Sequence, residues 1–459
     1  MPANARTHFL PILAGALLLR LAAVLSMLRH SPQTWFYPQA TELARLGESL
    51  RRGRGLASPF GGDTGPSAFL APGYPALVAL LFRIFGSYSG HAAVALLLLQ
   101  VLFAVGTVYF VMLVARLAFS PRTANIAGAI WAFSPVLWWM PAVFWESGLS
   151  TTILTASLAF AMHCAAKPTP WKWMAMGAFF AAAMLINPSL MLALLSVGAW
   201  AIYRTAPSPR LVAAALLFVT CATLFAAWPV RNERELHAFI PLRSNFGYEL
   251  WQGNRSGADG EFSAQLHLNV NAQEFARYAS LGEVGYMREK SASAEAAIRA
   301  QPGRFIRLTA KRAAQFWLGG WSRHSFTLIV LYLATTTTLG LAGFVLLWKR
   351  RRDLALLFAG PLLLFPLPYY ITHADFRFRL VLDPLATLLC AYAAAHWTGR
   401  KQETEFSESS DSAQPGDSQS NNSPLGIDGF NVQSSQSDRL SGCRTGRSAR
   451  PVTPSRSPS

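Results

Sequence analysis

The chain has 459 residues, of which 52% are hydrophobic and only 14% charged, against roughly 25% charge in an ordinary soluble domain. The net charge is +17, but the basic residues are scattered between long apolar runs and share no amphipathic face, which argues against a nucleic-acid partner. From residue 400 onward seven Lys and Arg face seven Asp and Glu, so the excess charge belongs to the apolar part, where it suits anionic lipid headgroups or phosphate-bearing substrates.

A spanning helix needs about 20 apolar residues. The first such run is 8–28, interrupted by Arg20 and followed by no small-residue cleavage site, so it is expected to stay as a span. Further spans are expected at about 91–115, 123–141, 147–166, 172–187, 189–203, 211–229, 326–348, 353–371 and 380–398, with Asn187-Pro188 breaking the central pair. Ten spans with the N-terminus inside place Arg116, Arg122, Lys167, Lys172, Arg204, Arg210, Lys349 to Arg352, Arg400 and Lys401 on the inner side. The long first outer loop, 29–90, departs from that pattern, with Arg29, Arg45, Arg51, Arg52, Arg54 and Arg83. It holds a helix-like stretch at 39–52, a turn-rich section from Gly53 to Gly73, and an apolar stretch from Tyr74 to Phe85 expected to lie in the membrane interface. A second outer segment, 230–325, has mixed charge and reads as mostly helical in its second half. Residues 1–398 thus read as one all-α polytopic membrane domain, and 399–459, rich in Ser, Pro, Gly, Asn and Gln, as a disordered cytoplasmic tail.

The four cysteines, Cys164, Cys221, Cys390 and Cys443, have no metal-ligand spacing, and there is no Walker loop, GxGxxG or HExxH. Carboxylates are scarce: up to residue 232 there are only Glu42, Glu48, Asp63 and Glu146. Glu146, in FWESGLS, stands alone at the outer junction of two spans, where a charge is costly unless it faces a polar cavity. Glu42 opens TELARLGESL, in which Glu42, Arg45 and Ser49 share one helix face and Leu43, Leu46 and Leu50 another. Arg377 and Arg379, with His373, lie in YYITHADFRFR on the outer side, and guanidinium groups bind phosphate through forked hydrogen bonds. Aromatic rings at a similar depth (Trp35, Tyr37, Trp138, Trp139, Phe144 and Trp145) offer flat faces to a sugar. Carboxylates to handle a hydroxyl proton and cations to hold a leaving phosphate are the parts that sugar transfer from a lipid phosphate needs.

Over residues 8–398 this arrangement resembles the C-type superfamily of membrane glycosyltransferases, family 39-like. It is nearest the branch of protein O-mannosyltransferases and the lipid A aminoarabinose transferase. The resemblance is carried by Glu42 in the first loop, GPSAFLAPGYPALVALLFRIFG, Glu146 in FWESGLS, PLRSNFGYELWQGN and YYITHADFRFRLVLDPL. It implies an enzyme of the inner (plasma) membrane with its site facing the periplasm. That enzyme would move a sugar from a polyprenyl-phosphate-linked donor to a lipid, glycan or protein acceptor by inverting-type hydroxyl attack. It places the acceptor-activating acid at Glu42, a second functional carboxylate at Glu146, and phosphate contacts at Arg377, Arg379 and His373. Relatives often carry Asp, as an Asp-Glu pair, where this chain has Thr41-Glu42; a divalent metal is therefore an open expectation, since one Glu is a thin ligand set. A transporter of a lipid-linked sugar is the alternative, and the absence of a matching second helix break speaks against it.

Overall fold

The computed structural model describes residues 8–30, 41–142, 144–319 and 327–411. Trp35, Tyr37 and residues 412–459 of the expected tail lie outside them. The chain divides into two units, Met1–Thr404 and Glu405–Ser459.

The first unit is helical. Its long apolar helices are α1 (Phe9–His30), α4 (Gly90–Ala118), α6 (Ser147–Ala166), α9 (Arg210–Leu236) and α13 (Thr327–Arg350), joined by the run Arg352–Ile371. Among the described residues these six are long and apolar enough to cross a membrane, and the shorter apolar helices Gly73–Phe85, Pro170–Ile186 and Pro188–Arg204 stand beside them. The expected span 123–141 is the 13-residue α5 (Pro121–Phe133) followed by two 3-10 turns, because Pro135 and Pro141 interrupt it. Asn187-Pro188 divides α7 (Pro170–Ile186) from α8 (Met191–Arg204). Pro366 divides Arg352–Ile371 into α14 (Arg352–Leu364) and α15 (Leu367–Ile371). The last helix, α17 (Asp383–Asp411), runs past the expected end of the span at residue 398. The Lys, Gln and Glu that follow that span are good helix formers.

In the bundle α4 packs against α1, α5 and α6, α8 against α6 and α14, and α7 against α9. Gly177 lets α7 touch α9: a Cβ there would run into the carbonyl oxygen of Leu217. Arg20 is fully buried in α1. It donates to the carbonyl oxygens of Trp131 and Ala132, both at 3.1 Å, which the end of α5 leaves without helical partners. That contact gives a charged residue in an apolar helix its place.

At one end of the bundle lie α2 (Glu42–Arg51), α3 (Gly73–Phe85), α10 (Phe246–Asn254), α11 (Ala272–Ala300), α12 (Pro302–Leu318) and the short α16 (Phe376–Arg379). Thr41 caps α2 by accepting from the Ala44 amide at 3.4 Å. Both faces of α2 are covered: Leu43 and Leu46 sit in a core with Tyr74, Val78 and Phe82 of α3, and Glu42 and Ser49 are buried as well. Two arginines of the long loop find partners here, since Arg51 and Arg52 hold the Glu48 carboxylate at 2.8 and 2.5 Å. The Arg51 hydrogen bond is the main reason Glu48 titrates low, at about 2. Among the described residues there are no β-strands, only the single bridge Ala57 to Pro66.

Candidate functional site

A cavity of about 880 Å³ opens among α2, the start of α6, α10 and the turn between α15 and α16. Glu42, Glu146, Arg377 and His373 all line it, although they lie up to 335 positions apart in the chain. Arg379 does not line it. It is fully buried beside Asp383, with which it pairs, and donates to Thr337 Oγ1 at 3.3 Å while lying over the Trp317 ring. The expectation that Arg379 meets a phosphate is therefore corrected: Asp383, one helical turn on, neutralises it within the bundle.

Among the further polar side chains in the wall are Arg243, Glu249, His267 and Asn269. Arg243 and Glu249 fall inside PLRSNFGYELWQGN, a string the sequence singles out without assigning a task to either. His267 and Asn269 belong to a loop in which nothing distinguishes them from solvated polar residues.

Glu42 sits in a chain of polar contacts. Asn269 Nδ2 donates to Glu42 Oε1 at 2.6 Å, while Asn269 Oδ1 accepts from Arg45, which fixes the orientation of the amide. His267 Nε2 stands 3.1 Å from the same carboxylate oxygen. His267 Nδ1 accepts from the Asn269 amide at 3.3 Å, so the Nε2 hydrogen points to Glu42. Burial, with Arg377 and Arg45 nearby, lowers His267 to about 4, and the ring is neutral at pH 7. Burial raises the proton affinity of Glu42, and its own backbone amide, Arg45, Arg377 and Asn269 only partly oppose that.

Glu146 precedes the first turn of α6, where a carboxylate is favoured by the helix dipole. The preceding residue is anchored by Gln100, whose Nε2 donates to the Trp145 carbonyl at 3.2 Å and to Tyr74 Oη at 2.7 Å. Arg243 Nη2 donates to Glu146 Oε1 at 2.8 Å. Glu146 Oε2 is enclosed and has no hydrogen-bond partner among the described residues.

Arg377 is held from behind: its amide donates to Asp375 Oδ1 at 2.9 Å, and its guanidinium lies 4.7 Å over the Trp145 ring. Its Nε has no hydrogen-bond partner among the described residues. His373 is buried, 5.3 Å from the Phe262 ring, and burial lowers it to about 4. Of the other aromatic candidates, Trp138, Trp139 and Phe144 stay out of the cavity wall.

The wall is assembled from distant segments by buried polar ties. Glu283 Oε1 accepts from the Ala68 amide at 2.6 Å and from Ser244 Oγ at 2.7 Å, joining α11 to the first loop and to the segment before α10. Arg312 of α12 donates to the Gly253 carbonyl, to Asn254 Oδ1 at 3.1 Å and to the Ile371 carbonyl at 3.2 Å. A Cβ on Gly253 would collide with the Thr372 carbonyl oxygen, so only glycine lets α10 reach the turn that carries His373.

The donor set does not fit a divalent ion. Among the described residues no three His, Cys, Asp or Glu side chains gather as ligands. Glu42 is engaged by Asn269 and His267, Glu146 by Arg243, and two guanidinium groups face the same space.

No protein-family model matches the sequence, and no curated protein matches it. Solved structures do. The archaeal oligosaccharyltransferase AglB from Archaeoglobus fulgidus, in complex with an inhibitory peptide and a dolichol-phosphate, matches with a TM-score of 0.53 at 15% identity, over 89% of this chain and 52% of that one. The Archaeoglobus fulgidus oligosaccharyltransferase complexed with Zn and sulfate matches at 0.51 and 14% identity, over 85% and 49%. ArnT from Cupriavidus metallidurans bound to undecaprenyl phosphate aligns at 14% identity over 82% of this chain and 76% of its own, with a TM-score of 0.38, too low for a residue comparison. The chain spans about half the length of the archaeal proteins it matches. Its helical bundle has the fold of these archaeal structures.

Proposed function

We propose that the protein transfers a sugar from a polyprenyl-phosphate carrier to a hydroxyl acceptor at the periplasmic face of the inner membrane. The observation that carries this reading is the juxtaposition, in one cavity of about 880 Å³, of a buried carboxylate with raised proton affinity, Glu42, and two guanidinium groups, Arg377 and Arg243. Glu42 takes the proton from the attacking hydroxyl, and a carboxylate with raised proton affinity is the stronger base. The acceptor oxygen bonds to the anomeric carbon as the bond from that carbon to the phosphate oxygen breaks. Arg377 and Arg243 neutralise the leaving phosphate. Attack from the side opposite the phosphate inverts the anomeric centre. Glu146 is fixed through one oxygen by Arg243 and stands in the wall beside Trp145, whose ring carries the Arg377 guanidinium on one face and leaves the other for the sugar. The apolar wall of Pro188, Met191, Leu192 and Val381 suits the start of an isoprenoid chain. The basic inner loops support the orientation.

The test is transfer by membranes supplied with a lipid-phosphate sugar. Glu42→Gln, present at the wild-type level, is expected to lose transfer by about a hundredfold or more, and unchanged turnover removes Glu42 from the mechanism.

A further inference from the structure

Glu249 has no part in the reaction as set out above, yet it stands in the same wall. It lines the cavity with about a quarter of its side chain open, while Oε2 is enclosed and lacks a hydrogen-bond partner among the described residues. Asn245 Nδ2 donates to its Oε1 at 3.0 Å. His373 Nδ1 is 3.5 Å from Oε2, beyond a good hydrogen bond, and is itself buried without a hydrogen-bond partner among the described residues. Among the described residues, the charged and titratable groups around Glu249 include Glu42 of α2, Arg243 ahead of α10, Tyr248 beside it in α10, His373 after α15 and Arg377 of α16.

A carboxylate between two guanidinium groups would ordinarily be ionised. Here burial outweighs both arginines, Glu42 adds repulsion, and Glu249 rises to about 7. It is therefore shared between its acid and its anion near neutrality. A phosphate anion entering beside Arg377 and Arg243 adds negative charge and offsets the attraction of the two guanidinium charges for the Glu249 anion, and both effects push the carboxyl toward its acid form. A neutral carboxylic acid donates through its O–H; its anion next to a phosphate only repels.

Resting on the proposed function, we propose that Glu249 is a third member of the phosphate site: it binds the lipid phosphodiester as a neutral acid, donating to a phosphate oxygen, so that each binding event takes up a proton from water.

The test uses the full chain in detergent and the methyl ester of citronellyl phosphate, a phosphodiester whose single charge is fixed across the pH range used. Affinity is measured from pH 6 to 8.5, and proton uptake by calorimetry in two buffers of different ionisation enthalpy. Wild-type Kd is expected to rise about tenfold across this range by proton linkage. Glu249→Gln, which keeps a donor but cannot ionise, is expected to bind within about threefold of the pH 6 value with a flat profile. Asn245→Ala strips a donor from the ionised carboxylate, so the loss of affinity moves to higher pH. Proton uptake absent in the wild type, or surviving in Glu249→Gln, overturns the proposal, as does its loss in His373→Gln alone. A diester that binds with no pH dependence sinks only the role of Glu249; a diester that fails to bind at all sinks the phosphate site and the proposed function with it.

Discussion

Arg243 and Glu146 meet at 2.8 Å across 97 positions of the chain, with only 19% and 12% of their side chains exposed. One belongs to the segment ahead of α10, the other to the turn that starts α6, so a single ion pair closes this side of the cavity. A partly enclosed pair of this kind leaves an uncompensated charge when one partner is removed. Arg243→Gln and Glu146→Gln are each expected to destabilise, and the double variant less than the sum. A double-mutant cycle on thermal unfolding in detergent should give a coupling of about 1–3 kcal/mol; additive effects would mean that the pair does not form.

The acid limb of the transfer reaction should report Glu42. Its carboxylate must be ionised to accept a proton, so activity is present above its pKa and lost as pH falls through it. Burial raises that pKa, so the limb is expected above about 4.3, the value of an ordinary glutamate. Asn269→Ala removes a donor to the ionised form and should move the limb further up in pH. A profile of kcat/KM against pH for the two proteins checks both statements.

Two neighbouring arginines should separate cleanly in kinetics. Arg377→Met is expected to raise KM for the lipid-phosphate donor by about tenfold to a hundredfold, the loss of one charge-assisted contact. Arg377→Lys should recover only part, because an ammonium cannot reproduce the planar fork. Arg379→Gln should leave KM unchanged in the protein that folds and lower stability instead, by about 3–5 kcal/mol, because Asp383 stays buried and unpaired. Thermal unfolding beside donor titrations gives the comparison.

Chelation addresses the metal question. Glu42 and Glu146 are already committed to Asn269, His267 and Arg243, so transfer is expected to continue after EDTA treatment and gel filtration. Activity lost on chelation and restored by a divalent ion would contradict that reading of the donor set.

Scarcity made part of the site legible in the sequence. Glu42 and Glu146 stand out because apolar chain surrounds them, and Arg377 and His373 because the charge pattern disfavours cations there. The same logic failed for Arg379, whose partner Asp383 lies on the far side of Leu380, Val381 and Leu382 and is recognised only once the turn between α16 and α17 brings the two together. It could not find Arg243, Glu249, His267 and Asn269, since polar residues in a polar segment carry no cost that needs explaining. Apolar composition marks 123–141 and 172–203 as membrane segments, and proline and asparagine decide where each helix within them stops.

Arg312 has a mechanical consequence. By gripping the Gly253, Asn254 and Ile371 groups together, it makes α10, α12 and the end of α15 one bracket. Gly253 seats that bracket directly on Thr372. The mouth of the chamber cannot widen by swinging α10 outward without tearing several buried contacts at once. The loop bearing Phe262, His267 and Asn269 hangs on the same bracket, since Arg312 also donates to the Gly260 carbonyl at 3.2 Å and Tyr248 Oη of α10 donates to the Leu266 carbonyl at 3.1 Å. The piece that steadies the base is thereby anchored to the same frame as the turn that carries His373.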